Sequence, residues 1–168
     1  EGDFTFSGSA TAARIHAGTT NMELASSQFE NTNANFDVTF NVTDGTQTIT
    51  PISATVTITG RHASTSYNGA THTTTGYEFL AEPATYTSDC FTFNGTASAS
   101  QTVVGTDYMG LAASQFENTS DDFENVQFNV TDGYQTVTKA ALTVTAVDAS
   151  KTYGGTDPAL TYLATGMV

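Results

Sequence analysis

The stretch FNVTDGTQTIT, from Phe40 to Thr50, returns almost unchanged as FNVTDGYQTVT, from Phe128 to Thr138. Nine of its eleven positions are identical. Apolar and polar residues alternate on either side of the Asp-Gly pair, which is the pattern of half-buried strands joined by a tight turn. The stretch therefore predicts a β-hairpin in each copy, with turns at Asp44-Gly45 and Asp132-Gly133.

The match extends upstream, so the chain is built from repeats. FTFSGSATA, which begins at Phe4, corresponds to FTFNGTASA, which begins 87 residues later at Phe91. LASSQFENT and LAASQFENT keep the same spacing. A second correspondence links VTITGRHASTSYNG, which begins at Val56, to LTVTAVDASKTYGG, which begins 86 residues later at Leu142. Each unit thus opens with a Val/Leu-Thr-Ile/Val-Thr run and closes with FNVTDG.

This frame predicts the domain limits. Residues 53–139 form a complete repeat domain, residues 1–52 are the C-terminal part of a split domain, and residues 140–168 are its N-terminal part. Writing TYLATGMV in front of EGDFTFSGSATA restores one uninterrupted unit, in which Gly166 takes the position of Gly76. We expect residues 1–52 of the next copy or subunit to complete the split domain. The chain is then one period of a longer array, and a fragment is the alternative.

The composition limits the classes of partner. The 168 residues include 4 Lys and Arg against 17 Asp and Glu, a formal net charge of −13. Nucleic acid and anionic membrane surfaces both require a basic face, so neither is an expected partner. No apolar run approaches the roughly 18 residues of a membrane span, so direct insertion is not expected. Thr, Ser and Asn replace charged residues, as in secreted bacterial β-proteins, which predicts an extracellular or cell-surface location.

Alternating runs separated by turn residues indicate an all-β fold. We predict two small Ig-like or β-sandwich-type repeat domains in tandem. The alternative is a β-grasp-like fold with one short helical turn at LAxSQFENT. The predicted strands include Phe4 to Phe6, Val38 to Val42, Thr55 to Thr59 and Thr143 to Val147, with Val56, Ile58, Leu142 and Val144 facing inward. The turn signature of the repeat consists of Tyr67, Gly69, Tyr153, Gly154, Asp44, Gly45, Asp132 and Gly133.

The front part of the repeat resembles the MBG-type domains, of the Tyr-Gly-x variety, that occur in tandem in bacterial surface adhesin-like proteins. The matching residues are Leu142-Thr-Val-Thr-Ala, Lys151-Thr-Tyr153-Gly154, Asp157-Pro158-Ala-Leu160 and Gly166. The complete domain departs from this pattern, because it keeps Tyr67-Asn68-Gly69 but has no Asp-Pro. The resemblance implies an extracellular stalk or fibre, and it transfers no catalytic residue.

The sequence contains no clear catalytic or metal-binding motif. The three histidines, His16, His62 and His72, have no second ligand at a zinc spacing, so no metal site is expected. Asp121, Asp122 and Glu124, and Glu30 with Asp37, leave bound calcium as the alternative, although they lack the regular spacing of a calcium loop. No nucleophile elbow or triad is recognisable, so we expect neither catalysis nor a cofactor. Lys139 and Lys151 leave isopeptide crosslinks open.

Two functions follow from these observations. The first is a structural tandem-repeat segment of an extracellular fibre or adhesin stalk, which assembles end to end with identical copies, in a covalent array or by strand exchange. The second is a binding module of a bacterial adhesin, with a host protein or a host or matrix glycan as its ligand. The candidate ligand contacts for the second are Tyr67, Tyr77, Tyr86 and Tyr134.

Overall fold

The computed structural model describes residues 2–168 and consists of short strands. In chain order they are β1 Phe4–Phe6, β2 Gly18–Asn21, β3 Phe29–Asn31, β4 Thr46–Ile49, β5 Ile52–Gly60, β6 His62–Ser66, β7 His72–Thr75, β8 Tyr77–Glu82, β9 Phe91–Phe93, β10 Ser98–Gln101, β11 Gly105–Tyr108, β12 Phe116–Asn118, β13 Phe123–Thr131, β14 Tyr134–Thr138, β15 Thr143–Val147 and β16 Thr161–Thr165. The helical elements of the described chain are 3-10 turns at Ser26–Gln28, Ser88–Cys90 and Ala113–Gln115.

The strands form several small sheets. One three-stranded sheet has the order β13-β5-β8, and a second has the order β11-β14-β6, in which β14 lies antiparallel to β11 and parallel to β6. The other strands pair as β1-β3, β2-β4, β7-β10, β9-β12 and β15-β16. The predicted all-β, sandwich-type class is confirmed. The helical turn expected at LAxSQFENT is present in both copies, as a 3-10 turn.

The hairpin prediction is wrong. β13 and β14, the two strands on either side of Asp132-Gly133, lie in different sheets. The Asp132 carboxylate instead accepts hydrogen bonds from the backbone N–H groups of Gly110 (3.0 Å) and Leu111 (2.9 Å). Gly133 is buried, and a side chain there would meet the carbonyl oxygen of Arg61. The Asp-Gly pair therefore turns the chain from one sheet into another, as the corners of sandwich folds do.

The strand predicted at Val38 to Val42 is also absent, because residues 36–45 contain no strand. Their counterpart in the complete repeat is β13, which is held by pairing with β5. Alternation specifies which side chains face inward, but a strand also needs a neighbour for its backbone hydrogen bonds.

The described chain divides into two compact units. The first comprises residues 1–56, 81–92 and 117–127, and its buried side chains include Ala54, Val56 and Tyr86. The Tyr86 ring lies 4.9 Å from that of Phe123, edge to face, and 6.1 Å from that of Phe91, stacked.

The second unit comprises residues 57–80, 93–116 and 128–168. Ala99, Met109 and Leu111 form the centre of its core, and Tyr77, Phe93, Ala97 and Val130 pack against them. Gln135 is buried beside this core and is satisfied by hydrogen bonds with the hydroxyls of Thr74 (2.6 Å) and Thr65 (3.2 Å). The inward-facing positions predicted for β5 are confirmed, because Val56 and Ile58 are both 0% exposed.

Candidate functional site

Two of the four candidate tyrosines are core residues. Tyr86 is 2% exposed, and its hydroxyl donates to the Asn118 side-chain oxygen (3.2 Å) and the Cys90 carbonyl (3.3 Å). Burial, with a smaller effect of Cys90, raises the pKa of Tyr86 to about 12. A ring buried in this way offers no surface to a ligand, which corrects the expectation for Tyr86.

Tyr77 is half-buried, and its ring packs edge to face against Phe93 (5.2 Å) and Phe116 (5.3 Å). Burial also raises the pKa of the Tyr77 phenol. Tyr67 is half-buried too, and its backbone N–H donates to the Thr138 carbonyl at 2.8 Å. The packing of the Tyr77 ring is that of a structural residue.

Tyr134 belongs to an aromatic row that crosses the β11-β14-β6 sheet. Its ring stacks on that of His62 (5.2 Å) and meets that of Tyr108 edge to face (5.8 Å), because the three residues are direct cross-strand partners. His62 and Tyr108 are exposed. The sequence could have indicated Tyr108 as part of this row. Tyr108 and Tyr134 stand where the other copy has Asn21 and Thr46, which also lie opposite each other. This row is an aromatic surface with exposed rings, and it contains one of the candidate tyrosines.

The Asp of each FNVTDG has the same structural role in both copies. Asp44 accepts from the backbone N–H groups of Glu23 (3.0 Å) and Leu24 (2.9 Å), as Asp132 does at its counterparts. Gly69 and Gly154 both have a φ of +81°, which glycine adopts without strain. Tyr153 is fully exposed. Near it, the Lys151 ammonium donates to the Asp157 carboxylate in an exposed ion pair.

The histidines and acidic groups of residues 2–168 include one close pair, His16 with Asp122. Within residues 2–168 no three side chains of His, Cys, Asp or Glu are arranged to hold a metal ion. His16 Nδ1 lies 2.7 Å from Asp122 Oδ2, and Asp122 Oδ1 accepts from the Ala17 backbone N–H at 2.6 Å. The hydrogen bond from His16, followed by that from Ala17, lowers the pKa of the Asp122 carboxyl.

The Arg14 side chain prepares this contact. Its guanidinium donates to the carbonyls of His16 (2.7 Å), Ala17 (2.6 Å) and Thr19 (3.2 Å), and so fixes the loop that presents His16 to Asp122. The contact joins residues of the first repeat to a loop of the second.

The largest difference between the repeats lies in their apolar faces. Leu142 and Val144, the counterparts of Val56 and Ile58, are 60% and 59% exposed, so the inward-facing prediction for them is wrong in this chain. In the described chain, β15 and β16 pair only with each other, which leaves nothing to cover their apolar side chains.

The back part of the split repeat shows the same contrast. Phe36 is 57% exposed, whereas its counterpart Phe123 is 8% exposed. Gln47 is exposed, whereas its counterpart Gln135 is buried. A groove opens at this aromatic surface, and it is lined by Phe4, Leu24, Phe29, Phe40 and Val42 together with Asn41 and Thr43.

The stacked phenylalanines and the asparagine turn of the back part nevertheless have the same geometry in both repeats. The rings of Phe6 and Phe29 are stacked at 4.8 Å and 29°, and those of Phe93 and Phe116 at 4.8 Å and 28°. The Asn31 side-chain amide donates to the carbonyls two and five residues later, as the Asn118 amide does. These elements of residues 2–52 therefore already have the geometry of the complete repeat.

Comparison with known proteins gives one match. Residues 142–168 match the family described as MBG domain (YGX type), in agreement with the resemblance stated above. No curated protein and no solved structure matches the chain. No helix of the described part of the chain is long and apolar enough to cross a membrane.

Proposed function

We propose, from the MBG repeat at residues 142–168, that this chain is a structural segment of an extracellular fibre or adhesin stalk. It assembles end to end with identical copies, and residues 140–168 of one copy complete the domain to which residues 1–52 of the next copy belong. The chain has no catalytic role in this proposal and needs no cofactor. The domain limits are 1–52, 53–139 and 140–168.

The burial contrast between the repeats carries the proposal. Val56 and Ile58 are 0% exposed in the complete domain, whereas Leu142 and Val144 are 60% and 59% exposed. Removal of an apolar sheet face from water lowers the free energy by about 25 cal/mol per Å² of buried surface. The two exposed faces are halves of one repeat, so each is the complement that the other requires.

The remaining features support a mechanical role. The joint after the first repeat is stiffened by Pro51 and by the contact of His16 and Ala17 with Asp122. Repetition of small domains with short joints gives length without a large core. The net charge of −13 keeps extended copies from clumping side by side, which is consistent with a location outside the cell.

Sedimentation velocity over a range of concentrations tests the proposal. We expect the chain to form a series of multiples whose size grows with concentration. Val144→Asp places a charge on the apolar face and should abolish the series, whereas Thr145→Asp adds the same charge on the opposite face and should leave it. A chain that stays monomeric at every concentration would refute end-to-end assembly.

The mass of the native protein under denaturing and reducing conditions separates the two modes of assembly. A species near 17.6 kDa means strand exchange between separate subunits. A species many times larger means a covalent array.

A binding module is the second candidate, and the row of His62, Tyr134 and Tyr108 favours it. Aromatic side chains present a large apolar face with a polar edge, which suits a sugar or a host protein. Tyr134→Thr installs the residue of the other copy. If this row binds host or matrix glycans, the variant should lose binding on a glycan array while its thermal unfolding changes little.

A further inference from the structure

The complete repeat contains the template for the contact between copies. In it, β14 lies between β11 and β6, with Tyr134 opposite His62, Thr136 opposite Ser64 and Thr138 opposite Ser66 in the parallel pair. In the split repeat β4 pairs with β2 alone, as far as the described residues extend. The position of β6 has no occupant there.

The β2-β4 pair has already adopted the geometry of β11-β14. Gly18 lies opposite Ile49, as Gly105 lies opposite Val137. In the middle of each strand pair two threonine hydroxyls share a hydrogen bond, Thr19 with Thr48 at 3.0 Å and Thr106 with Thr136 at 2.8 Å. The open edge of β4 therefore has the backbone positions that a parallel strand needs.

The missing strand is encoded elsewhere in the chain. Residues 148–152, with the sequence DASKT, are the counterparts of β6 and follow β15 as β6 follows β5. They are exposed and contain no strand. One chain thus carries both an unpaired segment and an unpaired strand edge, which are the two elements that strand-addition assemblies use.

The register of β15 and β16 also identifies an aromatic contact. In the complete repeat the Arg61 N–H donates to the Gly76 carbonyl at 3.1 Å, and in the split repeat Val147, the counterpart of Arg61, lies opposite Thr161. Thr161 therefore occupies the position of Gly76, which corrects the placement of Gly166 there. Tyr162 then takes the position of Tyr77.

Tyr77 packs edge to face on the stacked rings of Phe93 and Phe116. The counterparts of that ring pair are Phe6 and Phe29, which keep the same separation and nearly the same angle. Tyr162 is largely exposed. The acceptor for its ring is thus formed before any partner arrives.

We infer that residues 148–152 of one copy add to β4 of a second copy as a parallel strand, with Asp148 opposite Thr46 and Ser150 opposite Thr48, while Tyr162 packs on Phe6 and Phe29 of that copy. The inference rests on the proposed end-to-end assembly and specifies its register. Each copy has one donor segment and one acceptor edge, so the contact is heterologous and the assembly grows head to tail.

Crosslinking between two single-cysteine chains tests the register. Cys90→Ser removes the native thiol, and Thr48→Cys and Ser150→Cys are then introduced into separate chains. Mixing the two under mild oxidation should give a disulfide-linked dimer of one chain of each kind. The matched control replaces Ser150→Cys with Ala149→Cys, since a shift of one residue turns the side chain to the other face of the sheet.

The outcomes separate the register from the assembly itself. A dimer in the Thr48/Ser150 mixture and little in the control supports the inference. Equal yields in both mixtures, or no disulfide while sedimentation still shows multiples, would overturn the register and leave the assembly intact. Absence of multiples for the unmodified chain would overturn both.

The aromatic contact has its own test. Tyr162→Ala should weaken association by about tenfold or more, because burial of an aromatic ring and its edge-to-face contacts are lost. Tyr108→Ala, at a tyrosine that is exposed on the complete repeat, is the control. Equal effects of the two substitutions would exclude Tyr162 from the interface.

Discussion

Substitution of Ile58 and of its counterpart Val144 by alanine should have very different effects on the stability of the isolated chain. Ile58→Ala removes three carbon atoms from a side chain that is 0% exposed. At about 0.8 kcal/mol per buried methylene the transfer loss is about 2.4 kcal/mol. The cavity left behind brings the total into the range of about 2–5 kcal/mol. That is a large fraction of the roughly 5–15 kcal/mol that stabilises a typical domain.

Val144→Ala removes two carbon atoms from a side chain that is 59% exposed. Full burial of these two carbons would be worth about 1.6 kcal/mol, and about two-fifths of the side chain is buried, so the expected loss is about 0.6 kcal/mol. The substitution should therefore change the monomer little and should weaken association instead, because Val144 becomes a core residue only in the assembled state.

Urea unfolding followed by far-ultraviolet circular dichroism, at concentrations below the onset of association, measures both effects. Thr57→Ala, at an exposed position of β5, is the control and should be nearly neutral. Equal destabilisation by Ile58→Ala and Val144→Ala at low concentration would refute the reasoning, since it would mean that residues 140–168 already form a closed core within one chain.

Three further outcomes can be measured by thermal unfolding. Asp132→Ala should cost about 1–3 kcal/mol, because two backbone N–H groups lose their acceptor; a variant as stable as the parent would show that these bonds are replaced by water. Gly133→Ala should destabilise the fold far more than Gly154→Ala, since a methyl group at Gly133 meets a backbone carbonyl. At Gly154 a methyl group meets nothing within 4 Å, so the cost is only the strain of a positive φ, about 1–2 kcal/mol. The lowered pKa of Asp122 stabilises the fold at pH values above the ordinary carboxyl pKa of 3.8, and this contribution is lost as the pH falls through the lower folded value. Asp122→Asn should remove that part of the acid sensitivity and Asp121→Asn should not; identical pH profiles for both would contradict the assignment.

Where a strand has its neighbours in place, the strand and its buried face could be predicted from the sequence, because alternation specifies which side chains face inward. β5 is the clearest case: its threonines point outward, and Ala54, Val56 and Ile58 are buried, as the pattern requires. The repeat alignment also predicts the parts of the split domain, since FNVTDG and LAxSQFENT occur at matching distances.

The partners of the strands could not be predicted in the same way. FNVTDG has the signature of a hairpin, yet Asp132 caps a distant segment and Gly133 allows the chain to pass close to Arg61, so the two strands separate into different sheets. Local sequence indicates where the chain bends but not where the next strand finds its neighbour. The burial of Tyr86 depends on the same non-local packing, which explains why a tyrosine in a loop sequence looked like a candidate ligand contact.

The proposed interface would serve both a covalent array and a strand-exchange polymer, and the two differ in what offsets the entropy cost of ordering the donor segment. The acceptor is preformed, as the matching ring geometries of Phe6 with Phe29 and Phe93 with Phe116 show. The donor segment is not preformed, because residues 148–152 contain no strand in the free chain. Ordering each of these residues costs about 1–2 kcal/mol of backbone entropy. For separate subunits, this entropy cost is offset only when the concentration of partner chains is high. Copies joined through the peptide chain meet at an effective concentration in the millimolar range, so the donor segment binds without a separate encounter. Association of isolated copies that is detected only at high concentration is therefore consistent with a stable array.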